Sequence, residues 1–282
     1  MYIKAIKHIY RLRGGSQAQL MIGDDGHEYV VKFKGNPQTT RVLANEYLAG
    51  HLARMIGLSV PEPLIVHVDA ETITECKIEF QLAETQVAPT PGLHFGSRLI
   101  VDEEVHDWLP SSCIGNVKNV KEFAGILAYD KWIGNADGRQ VVFHKKRSQR
   151  KYTAAFIDFG YCFNAGEWSF PDSPLRGAYA RPEVYAHIES WGYFEPWLSR
   201  IERCSKAILQ NIARGIPIEW YGERRGLDCL LDSLFERRSA VRHLIDDFRK
   251  SHRNPFPNWK FYPAAGPSSD HVGDFAAMIS AP

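Results

Sequence analysis

Two kinds of hydrophobic pattern divide the chain. Along the first hundred residues the apolar positions come in short, strand-length runs separated by turn residues. Gln19-Leu20-Met21-Ile22 leads into Gly23-Asp24-Asp25-Gly26, after which His27 to Phe33 alternates polar and apolar side chains. An Asp-Gly turn between two such runs predicts a β-hairpin. Further extended runs are read at Ile65 to Val68, Ile78 to Leu82 and His94 to Ile100, the last led in by the Pro-rich stretch from Pro89 to Pro91. One helix interrupts them over residues 39–56, where Val42, Leu43, Leu48, Leu52 and Met55 fall near helical spacing. Gly57 and the Pro61/Pro63 pair end it.

Beyond residue 101 the period lengthens. Val120 to Trp132 reads as an amphipathic helix, broken by Gly134-Asn135-Ala136-Asp137-Gly138. Val141 to Phe143, a basic turn from Lys145 to Lys151, and Tyr152 to Phe159 read as a second hairpin. Helices are expected over 182–191, 194–214, 226–234 and 236–250. Around the third, Arg224-Arg225 and Arg237-Arg238 flank Leu227, Leu230, Leu231 and Leu234, a core-facing stripe with arginines on the wet face. Trp191, Trp197 and Trp220 read as packing residues. From Pro255 onward Pro, Gly, Ser and Ala dominate, and a flexible tail is expected over 255–282. The order implies an α+β protein of two lobes: a β-rich lobe with one helix over 1–101, then a mainly helical lobe over 102–254. A doubly wound sheet fits less well.

Composition narrows the function classes. The 282 residues carry 34 basic and 33 acidic side chains, without the basic excess expected of a protein that grips phosphate backbones, so direct nucleic-acid binding is not expected. No apolar run reaches the length of a membrane span, and Met1 to Arg13 lacks a signal-peptide core. The five cysteines are scattered with no CxxC pair, and the eleven histidines form no HxH or HExxH, so neither a disulfide framework nor a transition-metal site is signalled. A cytoplasmic protein fits these features.

Four features carry candidate chemistry. Gly14 and Gly15, with Ser16 and Gln17, precede a strand; two residues without Cβ let backbone N–H groups approach phosphate oxygens, although such a pair also makes an ordinary turn. Lys32 stands inside an apolar strand, where an ammonium is costly unless it meets an anion. Glu46, on the following helix 14 residues on, is the candidate partner. Lys34 shares the alternation parity of Lys32 and is its confusable neighbour. In the loop after the second helix, Asp137 stands where a carboxylate can accept a proton from an attacking hydroxyl, with Gln140 and Asn135 as oxygen donors to a metal. Asp158 ends an apolar strand before Phe159-Gly160, a placement suited to holding Mg²⁺ at a cleft mouth. Each alone is modest. In this order they make up the phosphoryl-transfer set of the protein-kinase-like architecture.

The blocks from Gly14 to Pro63, Gly92 to Ile100, Asp130 to Phe143 and Phe156 to Gly160 together resemble the HipA-like kinase family, in particular its short single-polypeptide branch. The resemblance spans roughly residues 10–250. It implies a bilobal kinase fold and phosphorylation that depends on ATP and Mg²⁺, in HipA-like relatives on serine or threonine of proteins. It implies further that Gly14, Gly15, Ser16 and Gln17 form the phosphate loop, that Lys32 binds the α- and β-phosphates and that Glu46 holds Lys32. By the same resemblance Asp137 is the catalytic aspartate, Asp158 the principal Mg²⁺ ligand, and Arg98 and Leu99 supply backbone hydrogen bonds to adenine. A protein substrate and an antitoxin-like or regulatory protein are the implied partners, and the extra N-terminal segment of longer relatives has no counterpart before residue 10.

Two positions depart from the pattern. The second metal ligand of kinases, an asparagine five residues after the catalytic aspartate, is replaced by Val142, with Gln140 the nearest substitute. Gly138 stands where a basic residue is common, with Arg139 beside it to supply the charge. These departures keep two rivals open: a nucleotide-binding pseudokinase acting as an interaction module, and a kinase for a lipid or small molecule. Ser16 is also a candidate phosphorylation switch, since a phosphate there would repel incoming ATP.

Overall fold

The computed structural model describes residues 2–260. Strands β1 (Ile3–Arg11), β2 (Gln19–Gly23) and β3 (Glu28–Lys32) precede helix α1 (Arg41–Met55). Strand β4 (Pro63–Val68), helix α2 (Ala70–Glu75), the hairpin β5 (Phe80–Leu82) and β6 (Thr85–Val87), and strand β7 (Gly92–Arg98) follow. Next come β8 (Glu104–His106), α3 (Glu122–Ile133), β9 (Gln140–Lys145) and β10 (Thr153–Ile157). Four helices end the described chain: α4 (Trp197–Glu202), α5 (Lys206–Ala213), α6 (Arg224–Arg237) and α7 (Val241–Arg249).

The strands β1-β2-β3-β7-β4 close into a barrel, sealed by a short parallel pairing of β1 with β4. Alternation along β3 sets its two faces. Tyr29 and Val31 enter the barrel core with Met21, Val66 and Phe80, while Val30 and Lys32 face outward into a cleft. The expected Asp-Gly hairpin is the β2–β3 pair. Strand β1 has no clear counterpart in the sequence pattern. Register shifts between Ala5 and Lys7 and between His8 and Tyr10 interrupt its alternation, and Ile6 and Tyr10 point outward. A second helix, α2, also joins the first hundred residues; Asp69 caps it by accepting from the Thr72 N–H.

A larger hydrophobic cluster joins α1, through Leu43, Leu48 and Leu52, to α3, through Phe123, Leu127 and Trp132, and extends to α6 and α7. Packing therefore runs continuously across the boundary expected at residue 101. The helix predicted over 194–214 is two helices, because Ser205 turns extended and caps α5 by accepting from Ile208 N–H. The helix predicted over 182–191 is a single 3₁₀ turn at Pro182–Tyr185. On α6, Leu227, Leu230, Leu231 and Leu234 are buried as expected. Arg237 is not on the wet face: it donates to the carbonyls of Lys131 and Trp132 and pairs with Asp172. Phe256, placed in the tail by the sequence pattern, is 2% exposed and packs on Tyr185, Phe194 and Phe248. The rest of the expected tail, 261–282, lies outside the described residues. Among those described, no helix is long and apolar enough to cross a membrane.

His94, on β7, is fully buried, and its Nδ1 accepts from the Lys34 N–H at 3.1 Å. Burial first, then Lys34 and His67, push its pKa down to about 3. Below pH 6.5 the unfolded chain takes up a proton that the folded state refuses, so stability falls with acidity from there toward pH 3. From this residue about 1.4 kcal/mol is expected to be lost between pH 7.5 and 5.5. Urea midpoints of wild type and His94→Asn at the two pH values check this; equal pH slopes would refute it.

Candidate functional site

Between the barrel and the β9–β10 hairpin lies a cleft of about 710 Å³. Gly14, Gly15, Ser16, Val30, Lys32, Arg98 and Leu99 line one side; Asp137, Gln140, Val142, Ile157 and Asp158 line the other. Most of the sequence-predicted residues thus meet, drawn from segments 126 residues apart.

At the deep end Lys32 donates to Glu46 and, at 3.0 Å, to Oδ1 of Asp158. Lys32 and Glu46 are 8% and 3% exposed. Burial works against the Lys32 ammonium, but the carboxylates of Glu46 and Asp158 outweigh it and hold its pKa above the usual lysine range. Burial likewise pushes Asp158 up, and Lys32 outweighs it, so that Asp158 titrates below the usual carboxylate range. Both charges therefore persist throughout the neutral range. Lys34 is no competitor, because its ammonium is paired with Glu219 at 3.1 Å.

Asp158 holds a left-handed backbone, φ 61°, which a side chain with Cβ adopts only under constraint. The constraint is visible. Glu46 accepts the Phe159 N–H at 3.0 Å, and Arg139 donates to the carbonyls of Ile157 and Asp158 at 2.7 and 3.0 Å. Gln140 completes the placement by donating to Oδ2 of Asp158 at 3.1 Å.

Arg139 is the largest departure from the sequence reading. It is 3% exposed and does not reach the cleft. Its guanidinium forks onto Asp130, Nε to Oδ2 at 3.0 Å and Nη2 to Oδ1 at 2.5 Å, and its plane lies 4.4 Å over the Phe159 ring. It cannot supply cleft charge in place of Gly138; it fixes the backbone that carries Asp158. Asp130 lies on α3, which is buried all round from Phe123 to Ile133 and not amphipathic as expected, and a carboxylate there needs a partner.

Helix α3 stops at Gly134 in the left-handed conformation, φ 57° and ψ 50°, where a Cβ would strike Phe170. The chain then turns toward the cleft with Asp137 exposed at its tip. Asn135 does not face the cleft, contrary to its reading as a metal ligand. It is 1% exposed, its Oδ1 accepts the Asp137 N–H at 3.1 Å, and its Nδ2 donates to Asp130. Its polar atoms shape the loop that presents Asp137. Gln140 and Val142 lie two apart on β9 and face the cleft together. Val142 extends an apolar floor with Ile157 opposite Ala18 and Val30.

Gln17 also departs from its assignment. It does not line the cleft. Its carboxamide clamps the backbone of Gln81 on β5, donating to the carbonyl at 2.7 Å and accepting the N–H at 2.9 Å. Gly14, at φ 125°, makes the turn above the cleft, and the clamp fastens that turn to the β5–β6 hairpin. At the other end of the cleft the Arg98 and Leu99 N–H groups already donate to Glu62 and Glu28 carbonyls at 3.1 and 2.9 Å. Those two N–H groups are not free for a ligand, contrary to their reading as adenine donors. Sequence reasoning passed over Gln38 and Tyr161, which line the cleft near Gly15 and touch each other at 3.3 Å.

The donor set fits a metal carried in on a ligand better than a resident one. The Asp158 carboxylate and the Gln140 carboxamide meet in the cleft, and no group of three or more His, Cys, Asp or Glu suited to a metal occurs among the described residues. Mg²⁺ commonly takes one or two protein oxygens and completes its shell with water and phosphate.

Comparisons with known proteins bear on the family and the fold. The family model described as HipA-like kinase matches residues 6–241. No curated protein sequence matches at a significant level. Among solved structures, the chain is similar to the Helicobacter pylori proinflammatory kinase CtkA at 13% identity and TM-score 0.54, covering 89% of this chain and 98% of that one. It is similar to HipA of Shewanella oneidensis, solved with HipB and operator DNA, at 13% identity and TM-score 0.52, over 86% and 68% of the two chains. The Golgi casein kinase with Mn and ADP bound shares the fold at 11% identity and TM-score 0.50, over 89% and 73%.

Proposed function

This chain belongs to the HipA-like kinase family, and on that premise we propose that its cleft transfers the γ-phosphoryl group of ATP to a serine or threonine hydroxyl of a protein, in the presence of Mg²⁺. The observation that carries the reading is the Glu46–Lys32–Asp158 chain of charges, in which Asp158 comes from a segment 126 residues beyond Lys32. The Mn and ADP of the Golgi casein kinase, a protein of the same fold, support a nucleotide and a divalent ion as the cofactors.

In this reading the triphosphate lies under Gly14, Gly15 and Ser16, whose N–H groups meet its oxygens. Lys32, held by Glu46, directs the α- and β-phosphates. Asp158 and Gln140 would hold Mg²⁺, which when bound neutralises phosphate charge. Val142 and Ile157 form the floor for the base. Asp137 orients the acceptor hydroxyl and receives its proton. The work is done by placement and charge, not by a covalent intermediate. Residues 1–101 would form the nucleotide lobe and 102–254 the catalytic lobe. A protein acceptor and an antitoxin-like regulator are the proposed partners; HipB in the solved HipA assembly supports the second.

Val142 at the usual second metal-ligand position favours one other reading, a nucleotide-binding pseudokinase. Incubation with Mg²⁺ and [γ-³²P]ATP, with soluble cell proteins in one arm and phosphoinositide vesicles in another, separates the cases. Label on protein is expected. Label only on lipid would move the acceptor class, and thermal stabilisation by Mg-ATP with no label anywhere would favour the pseudokinase.

The Gln17 clamp carries its own expectation. Gln17→Ala removes two hydrogen bonds that hold the Gly14–Gly15 turn, so Mg-ATP affinity should fall by about tenfold. Calorimetric titration checks it, and unchanged affinity would detach the clamp from nucleotide binding.

A further inference from the structure

Asn45 neighbours Glu46 on α1 and takes no part in the charge chain, yet it is 0% exposed and uses its whole carboxamide. Its two Nδ2 N–H groups are shared among the carbonyls of Gly160, Cys162 and Ala165, at 2.8, 3.0 and 2.7 Å, and its Oδ1 accepts the Trp168 Nε1–H at 2.8 Å. Three carbonyls on one side and an N–H donor on the other fix which atom is nitrogen.

The loop so gripped is strained. Phe163, Asn164, Ala165 and Trp168 all have positive φ, between 52° and 60°, and none is glycine. Such backbone persists only where its surroundings over-determine it. Arg41, one turn earlier on α1, adds a second hold: it donates to the Gly166 carbonyl at 2.8 Å and lies 4.7 Å over the Trp168 ring. Within the same loop the Tyr161 carbonyl accepts the Ala136 N–H at 2.9 Å, next to Asp137. A continuous path therefore runs from α1, through Asn45 and residues 160–165, to the loop that presents Asp137.

We propose that Asn45 is a positioning residue for phosphoryl transfer, latching the strained segment after Asp158 to the helix that carries Glu46, so that the Lys32 and Asp137 ends of the cleft are held in one arrangement. The proposal rests on the reading of the cleft as a phosphotransfer site.

The test uses the whole chain and three variants. Asn45→Ala removes the carboxamide, and Asn45→Asp sets a carboxylate against three carbonyls. Trp168→Phe removes the Nε1–H donor alone. Hydrogen–deuterium exchange, Mg-ATP affinity and transfer from [γ-³²P]ATP are measured on each. In both Asn45 variants exchange over residues 159–168 should rise by about tenfold or more. Transfer should fall by about tenfold or more while Mg-ATP affinity changes less than about threefold. Trp168→Phe, which loses one latch contact and keeps the Nδ2 contacts, should raise exchange over 159–168 less than either Asn45 variant, and an equal or larger rise would overturn the assignment to Asn45. Unchanged exchange in the Asn45 variants, an equal rise over the whole chain, or exchange that rises while transfer stays intact would each overturn the latch. Should neither Asn45 variant fold, Arg41→Leu is expected to raise exchange over 163–168, and no rise there would overturn it too. If wild type transfers no phosphate, the kinase reading fails, and exchange still decides the latch.

Discussion

Asp158→Ala is expected to lower phosphoryl transfer by about three orders of magnitude or more while leaving the protein folded. Asp158 is the carboxylate that both Lys32 and Gln140 orient, and the one best placed to meet a phosphate-borne cation. Its loss leaves Lys32 still paired with Glu46, so no buried charge is stranded. Asp158→Asn should fare little better, because the carboxamide keeps the shape and loses the charge. Transfer rates from [γ-³²P]ATP, read on variants whose melting temperatures stay within a few degrees of wild type, check this. Activity within about tenfold of wild type would remove Asp158 from the proposed role.

Arg139→Ala is expected to cost about 3–5 kcal/mol of stability, the usual consequence of stripping one partner from a buried ion pair. Asp130 is 1% exposed, and its second contact, the Asn135 carboxamide, cannot balance its charge. Arg139→Lys should recover little, because one ammonium cannot reproduce the fork onto Asp130 and also reach the Ile157 and Asp158 carbonyls. The double variant Asp130→Leu/Arg139→Met should regain most of the stability, since apolar replacements of a buried pair are often neutral. It should not regain transfer, because the Asp158 carbonyl has lost its donor. Urea unfolding with parallel transfer assays separates the two effects. A loss below about 1 kcal/mol in Arg139→Ala would show that the pair is not the support described here.

Much of the site was legible because its chemistry contradicts its surroundings. A lysine in an apolar strand and a glutamate among helix apolar positions are costly alone, and each predicts the other. Order along the chain then supplied the partners that spacing alone could not. What stayed illegible was direction. Asn135, Gln140 and Asp137 look alike as loop residues, yet Asn135 is turned inward because α3 ends in a left-handed glycine and Asp130 waits below. Gln17 sits beside three cleft residues, but its partner is Gln81, 64 residues away. Arg139 and Asn45 also hold backbone carbonyls, besides their side-chain partners Asp130 and Trp168, and a carbonyl carries no sequence signal. In the fold, β1 was missed because its bulges break the alternation that marks a strand, and helix breaks at Pro196 and Ser205 were read through because apolar spacing continues across them.

The proposed work of this cleft is to move the γ-phosphoryl group of ATP. The most direct measurement follows ³²P from [γ-³²P]ATP, to protein or to water, with wild type and Lys32→Ala, in Mg²⁺ and in excess EDTA. Label should leave ATP only with wild type in Mg²⁺. Wild type that binds Mg-ATP and leaves the γ-phosphate in place, or Lys32→Ala that transfers at the wild-type rate, would contradict the account.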